Sequence, residues 1–89
     1  MFGGSARNGW EEDEKSTNML LGMGDKRYIV HTCGDGYPVG DQMCLEHDQS
    51  FRPIGGIWTV LAVQPHTKAG LAELAKVAGK RPLVMATFK

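Results

Sequence analysis

Residues 57–88, IWTVLAVQPHTKAGLAELAKVAGKRPLVMATF, carry the strongest structural pattern of this 89-residue chain. The run 57–63 is almost continuously apolar and rich in β-forming residues, which predicts a strand covered on both faces. A capping threonine and a terminating glycine predict a helix over about 67–78. The apolar run 83–88 predicts a second buried strand. The connection between the strands is long enough for a crossover that makes them parallel.

The preceding part of the chain favours shorter strands. Residues 19–23 and 26–33 are joined by a Gly-Asp pair, which is typical of a two-residue hairpin turn. The glycine-rich stretch 34–41 predicts a loop, and 42–47 predicts a further strand. We therefore expect an α+β fold. It consists of a single small domain in which one helix packs on a mixed or mostly antiparallel sheet of about five strands.

Residues 1–18 predict a flexible acidic N-terminal arm that precedes the domain at 19–89. Four glycine or serine residues disfavour regular structure there, and four consecutive acids repel one another. One tryptophan stands directly before the acids, and tryptophan is enriched at binding hot spots. The interpretation that takes precedence is that this ring tucks onto the domain surface, and an anchor for a partner is the other. The candidate partner-binding residues are Trp10, Glu11, Glu12, Asp13 and Glu14.

Charge is distributed unevenly along the chain, although the formal net charge is zero. Residues 1–50 hold four basic and nine acidic side chains, whereas residues 51–89 hold six basic and one acidic. This balance lacks the overall basic character of most nucleic-acid-binding domains. The candidate basic patch is Lys76, Lys80 and Arg81, which keeps a nucleic-acid partner open as an alternative. The two halves of the chain could instead face each other and partly cancel.

The stretch HTCGDGYPVGDQMCLEH, residues 31–47, raises the question of a metal site. If Cys33 pairs with Gln42 in an antiparallel hairpin, then His31, Cys33 and Cys44 share one face. Thiolate and imidazole are the usual zinc ligands, but the spacing departs from the familiar zinc patterns. A Cys–His catalytic pair is a second interpretation. An ordinary structural hairpin is the third and takes precedence, so no cofactor is expected and zinc is the alternative.

The start of the predicted helix is a candidate anion site. Its free backbone amides, together with His66 and Lys68, could hold a phosphate or carboxylate group. Such arrangements are also common at helix starts that bind nothing.

The sequence predicts a cytoplasmic protein, because it has neither an apolar export signal nor a stretch long enough to cross a membrane. No complete catalytic motif is recognisable, so we expect a non-enzymatic function. The first hypothesis is a small interaction protein that binds a larger protein partner and inhibits or modulates it, as phage-encoded inhibitors of host machinery do. The alternative is a metal- or nucleic-acid-binding module. Exposed sheet edges also favour a homodimer.

Overall fold

The described part of the chain forms one sheet whose two longest strands lie side by side. The computed structural model describes residues 11–48, 50–79 and 84–87, with side chains described as far as residue 79. Within this part of the chain there are six strands and one helix. They are β1 (Asp13–Met23), β2 (Lys26–Cys33), β3 (Gln42–Cys44), β4 (His47–Asp48), β5 (Ile57–His66), α1 (Lys68–Ala78) and β6 (Val84–Thr87).

These elements form the α+β domain that the sequence predicts, with α1 packed on a mostly antiparallel sheet. The strand order is β3-β5-β1-β2-β6-β4, and among these pairs β2–β6 is the parallel one. Strands β5 and β6 run in the same direction, as their helical connection predicts. Two strands, β1 and β2, lie between them. No helix of the described residues is long and apolar enough to cross a membrane.

Strand β1 begins earlier than the sequence indicates. The predicted arm ends at residue 18, but β1 starts at Asp13 and is paired with β2 from Ser16 onward. Three polar residues of this segment, Ser16, Thr17 and Asn18, are buried, and β1 has a neighbouring strand on each side. The prediction of a flexible arm is therefore wrong for residues 13–18, which belong to strand β1. Residues 1–10 lie outside the described part of the chain.

The predicted hairpin over 31–47 is wrong. Cys33 pairs with Ser16 on β1, and Gln42 pairs with Thr59 on β5, so β2 and β3 are not neighbours. The loop between them crosses the end of β1, where an added Cβ on Gly36 would stand 3.1 Å from Thr17 Cγ2. Tertiary pairing on both sides of β1 therefore overrides the local hairpin pattern.

The sheet is curled, and the short connection from β3 to β4 requires it. These strands stand at opposite ends of the strand order, yet only Leu45 and Glu46 separate them. Six strands laid flat would place the outer two about 24 Å apart. Three residue steps span at most about 11 Å. The two edges of the sheet must therefore come close together, which gives a partly closed barrel.

Two hydrophobic clusters lie on the two faces of this curled sheet. Adjacent residues on β1, Leu20 and Leu21, are both fully buried because they point to opposite faces. Leu20 packs with the helix. Trp58 anchors the interior, where its Nε1 donates to Gly55 O at 2.8 Å and its ring makes a T-shaped contact with that of Tyr28. The interior cluster is Met19, Leu21, Val30, Met43, Leu45, Trp58 and Val60; the helix-side cluster is Leu20, Ile29, Leu74 and Ala78.

Helix α1 has the boundaries that its sequence predicts. Thr67 is the N-cap and accepts a hydrogen bond from Gly70 N at 2.9 Å. Gly79 follows the last turn with φ 71°, a backbone conformation that glycine adopts without steric cost, and donates to Ala75 O. At its first turn the helix packs so closely against the end of β5 that a Cβ added to Gly70 would clash with Pro65 O.

Substitution Gly70→Ala is expected to destabilise the protein. Alanine favours a helix by about 1 kcal/mol over glycine. The added methyl group would clash with the backbone oxygen of Pro65, however. Because that oxygen belongs to the backbone, the clash is relieved only if the start of the helix shifts. We expect a net loss of about 1–3 kcal/mol in the free energy of unfolding, measured by urea denaturation.

The matched control is Ala72→Gly at an exposed position of the same helix. Because this substitution is the reverse one, alanine to glycine, and creates no clash, it should lower the free energy of unfolding by about 1 kcal/mol through helix propensity alone. If Gly70→Ala proves more stable than the wild type, α1 does not pack against Pro65 as described.

Candidate functional site

The acidic run lies at the N-terminal end of β1 and is exposed to solvent. Two of its carboxylates are held by the fold. Glu12 Oε2 accepts a 2.7 Å hydrogen bond from Lys68 N, the first amide of α1. Asp13 accepts from Ser16 Oγ at 2.7 Å and from Lys15 N at 3.0 Å. The Ser16 hydrogen bond is the main reason why the pKa of Asp13 lies below its ordinary value.

The loop after β2 lies beside this acidic run. Gly34 N donates to Lys15 O at 3.1 Å, and Thr17 Oγ1 donates to Gly34 O. Asp35 follows directly and is exposed. We call Glu11, Glu12, Asp13, Glu14 and Asp35 the acidic end of the sheet. Trp10, the remaining predicted partner-binding residue, lies outside the described residues.

Exposed apolar side chains occupy the same loop. Tyr37 is 40 % and Val39 64 % exposed, although both are large hydrophobic residues. The loop stays close to the sheet because Gly40 N donates to Val60 O at 2.8 Å. The acidic end is thus continuous along the chain with an ordered loop that presents apolar surface to solvent.

The predicted anion site at the start of α1 already holds a carboxylate of the chain itself. Lys68 N is bonded to Glu12, and Gly70 N is bonded to the Thr67 side chain. His66 Nδ1 lies 3.1 Å from Asn18 Oδ1. A free phosphate would have to displace Glu12, so these contacts favour an internal structural role for this helix end.

A histidine pair lies next to the acidic end. His31 on β2 and His66 at the end of β5 stack with ring centroids 4.2 Å apart and planes 31° apart. Asn18 lies between their strands on β1 and is fully buried, and its Nδ2 has no hydrogen-bond partner among the described residues. Burial lowers the pKa of His66, and the charge of His31 lowers it further, against the opposing effect of Asp13 and Glu12.

Sequence reasoning did not find this pair, because the two histidines are brought together only by the pairing of β1 with both β2 and β5. The one feature of the sequence that could have indicated it is the polar triplet Ser16-Thr17-Asn18, which stands directly before an apolar run. Buried polar residues at that position indicate a polar cluster inside the fold rather than an arm.

The predicted metal-binding triad is not assembled. His31 and Cys33 lie on β2, whereas Cys44 lies on β3, and β1 and β5 stand between these strands. Both cysteines are exposed free thiols. In the part of the chain that the structure describes, no group of three or more His, Cys, Asp or Glu side chains is placed to hold a metal ion.

The predicted basic patch is described only at Lys76. Its Nζ lies 3.0 Å from Glu73 Oε2, an exposed pair one helical turn apart. Lys80 and Arg81 lie outside the described residues, so a basic patch formed by all three stays a prediction.

The loop after β4 presents an exposed aromatic residue that the sequence did not single out. Phe51 is 78 % exposed, and its backbone has φ 62°, which is unfavourable for a bulky side chain. Asp48 holds the loop in place by accepting from Ser50 N, Arg52 N and Arg52 Nε at 2.8–3.0 Å. The ring of His47 lies 5.0 Å from that of Phe51.

Comparisons with protein-family models, with curated proteins and with solved structures found no match to this chain.

Mild oxidation of the native protein is expected to leave Cys33 and Cys44 unbridged within one chain. Three strand spacings separate them, on the order of 10 Å or more even in a curled sheet, and a disulfide needs Cα atoms within about 7 Å. Mass spectrometry of unreduced peptides measures the link. A Cys33–Cys44 bridge in folded, monomeric protein would contradict the strand order.

The positive control is the double substitution Ser16→Cys, Cys44→Ser. Position 16 stands opposite Cys33, and because the neighbouring pair Lys15–Gly34 is hydrogen-bonded, this one is a non-hydrogen-bonded pair. The Cα separation in such pairs is about 4.5 Å, which permits a disulfide. We expect this variant to form the bridge under the same oxidising conditions.

Proposed function

We propose that this chain is a non-catalytic interaction protein that binds a larger protein partner through the acidic end of its sheet. The observation that carries the proposal is the juxtaposition of the acidic run with Asp35, through the hydrogen bond from Gly34 N to Lys15 O. Residues separated by about twenty positions in the sequence thus contribute negative charge to one end of the fold.

Order of the carboxylates supports recognition of a partner. Glu12 and Asp13 are each tied to backbone amides, and hydrogen bonding to Ser16 also lowers the pKa of Asp13. Charge held in place on a folded strand gives directional attraction at less entropic cost than charge on a disordered segment.

Apolar residues farther along the same loop add a second component of a protein interface. Tyr37 and Val39 remain exposed in an ordered loop, and tyrosine is enriched at the centres of interfaces. An acidic end followed along the same loop by apolar surface fits an extended partner site that is basic at one end and apolar at the other. If that basic site normally binds nucleic acid, its occupation inhibits the partner by competition.

The test removes charge from the acidic end without touching the carboxylates that the fold uses. The variant Glu11→Gln, Glu14→Gln, Asp35→Asn leaves Glu12 and Asp13 in place. Proteins captured from an extract of the source cells are identified with the wild type, and the affinity of each purified partner is measured by calorimetry. We expect the variant to bind about tenfold more weakly at low salt, since each exposed charge pair contributes about 0.2–1 kcal/mol.

The matched control neutralises the same number of charges elsewhere, by Asp25→Asn, Glu46→Gln and Glu73→Gln. All three are exposed and lie outside the acidic end. A partner that binds through the acidic end distinguishes the two triple variants and loses affinity steeply as salt rises. Equal affinity of both variants for every captured protein would refute the proposal.

A further inference from the structure

Three elements of the fold meet at the His31–His66 pair. His31 is on β2, Asn18 is on β1, and His66 ends β5 immediately before Thr67 caps helix α1. Asp13 at the beginning of β1 pairs in register with His66. The Glu12 carboxylate joins the same end of β1 to Lys68 N of the helix. The two histidines therefore lie where the N-terminal end of β1 is attached to the start of α1.

Stacking at 4.2 Å is suited to neutral imidazoles. Two protonated rings at that separation repel each other, and the repulsion grows with burial because less water screens it. His66 is only partly accessible, whereas His31 is exposed. With Asn18 Oδ1 as the acceptor, neutral His66 carries its proton on Nδ1, so a second proton must enter at Nε2.

The polar cluster around the pair is already incompletely satisfied. Asn18 is fully buried, but its Nδ2 has no partner in the described part of the chain. An unsatisfied buried donor favours any state in which water reaches it. Opening of this end of the sheet would release both the repulsion between charged rings and the desolvation of Asn18.

We propose that the His31–His66 pair is a pH-sensitive latch. When neutral and stacked, it holds the N-terminal end of β1 against the start of α1, and protonation of both rings releases that end in mildly acidic solution. Histidine is suited to this role because its ordinary titration range lies just below neutral pH. The latch operates in the protein alone, so it can be tested whether or not the acidic end binds a partner.

Charges around His66 act in both directions. Glu12 and Asp13 on the β1 side favour a proton on His66, whereas burial and the charge of His31 disfavour it and prevail, so the pKa of His66 is lowered. The first charged residue of α1, Lys68, is exposed. The unfolded chain, with an ordinary histidine pKa of about 6.5, then takes up more protons than the folded chain. The folded state is therefore fully stable, with respect to this group, above about pH 7. It loses stability as the pH falls through 6.5 towards the lowered pKa of His66 in the folded protein.

The test follows amide hydrogen exchange and histidine ring resonances by NMR between pH 7.5 and 5. After correction for the intrinsic pH dependence of exchange, we expect at least tenfold faster opening at the Lys68 amide and at paired amides near Asn18 at pH 5.5 than at pH 7. Amides of the barrel interior, such as that of Leu21, should change far less. A uniform response over the whole sheet, or no response, would overturn the latch.

Variant His31→Gln removes the like charge while keeping a polar side chain. The ring of His66 should then titrate at a higher pH, and the acid-induced opening should be reduced to the part that burial of His66 alone causes. The matched control is His47→Gln, which changes the remaining histidine of the chain, on β4. This variant should still show the acid-induced opening.

If His31→Gln fails to fold, the ring titrations of the wild-type protein decide. Mutually dependent, broadened titration of His31 and His66 supports the latch. Independent titration of the two rings refutes it.

Discussion

A two-residue connection constrains the whole architecture. Because Leu45 and Glu46 alone separate β3 from β4, the two ends of the strand order are tied together, and the sheet cannot lie flat. Curling creates an interior that Trp58 and its neighbours fill, while the outer face remains available for helix α1. A chain of this length buries only about 60–65 % of its unfolded surface in total. Using both faces of one sheet lets it build two small cores instead of one.

Central position in this sheet also explains why the polar start of β1 is structured. Strand β2 pairs with all three residues of Ser16–Asn18, and β5 pairs with Thr17 and Asn18, so this segment belongs to the sheet even though its side chains are polar. The same pairing assembles the histidine pair and brings the loop after β2 next to the acidic run. The acidic end and the histidine pair therefore both depend on strand β1.

Much of the fold was predictable from the sequence, and the rest failed for identifiable reasons. The apolar strand at 57–63 and the helix at 67–78 were predicted because periodicity and capping are local signals. The hairpin over 31–47 was wrong, because its pattern of alternation is equally compatible with pairing to a distant strand. The polarity of 13–18 predicts an arm, because local composition does not reveal a strand that lies between two others. The histidine pair depended on both of these long-range pairings and could not be recognised without them.

The backbone conformation of Phe51 has an evolutionary consequence. Glycine or asparagine would fit its positive φ with less strain, and either would remove an aromatic ring from solvent. Selection for thermostability alone would therefore replace phenylalanine at this position. Its retention under natural pressure would mark the tip of that loop as a place where the molecule gives up stability for contact with something else.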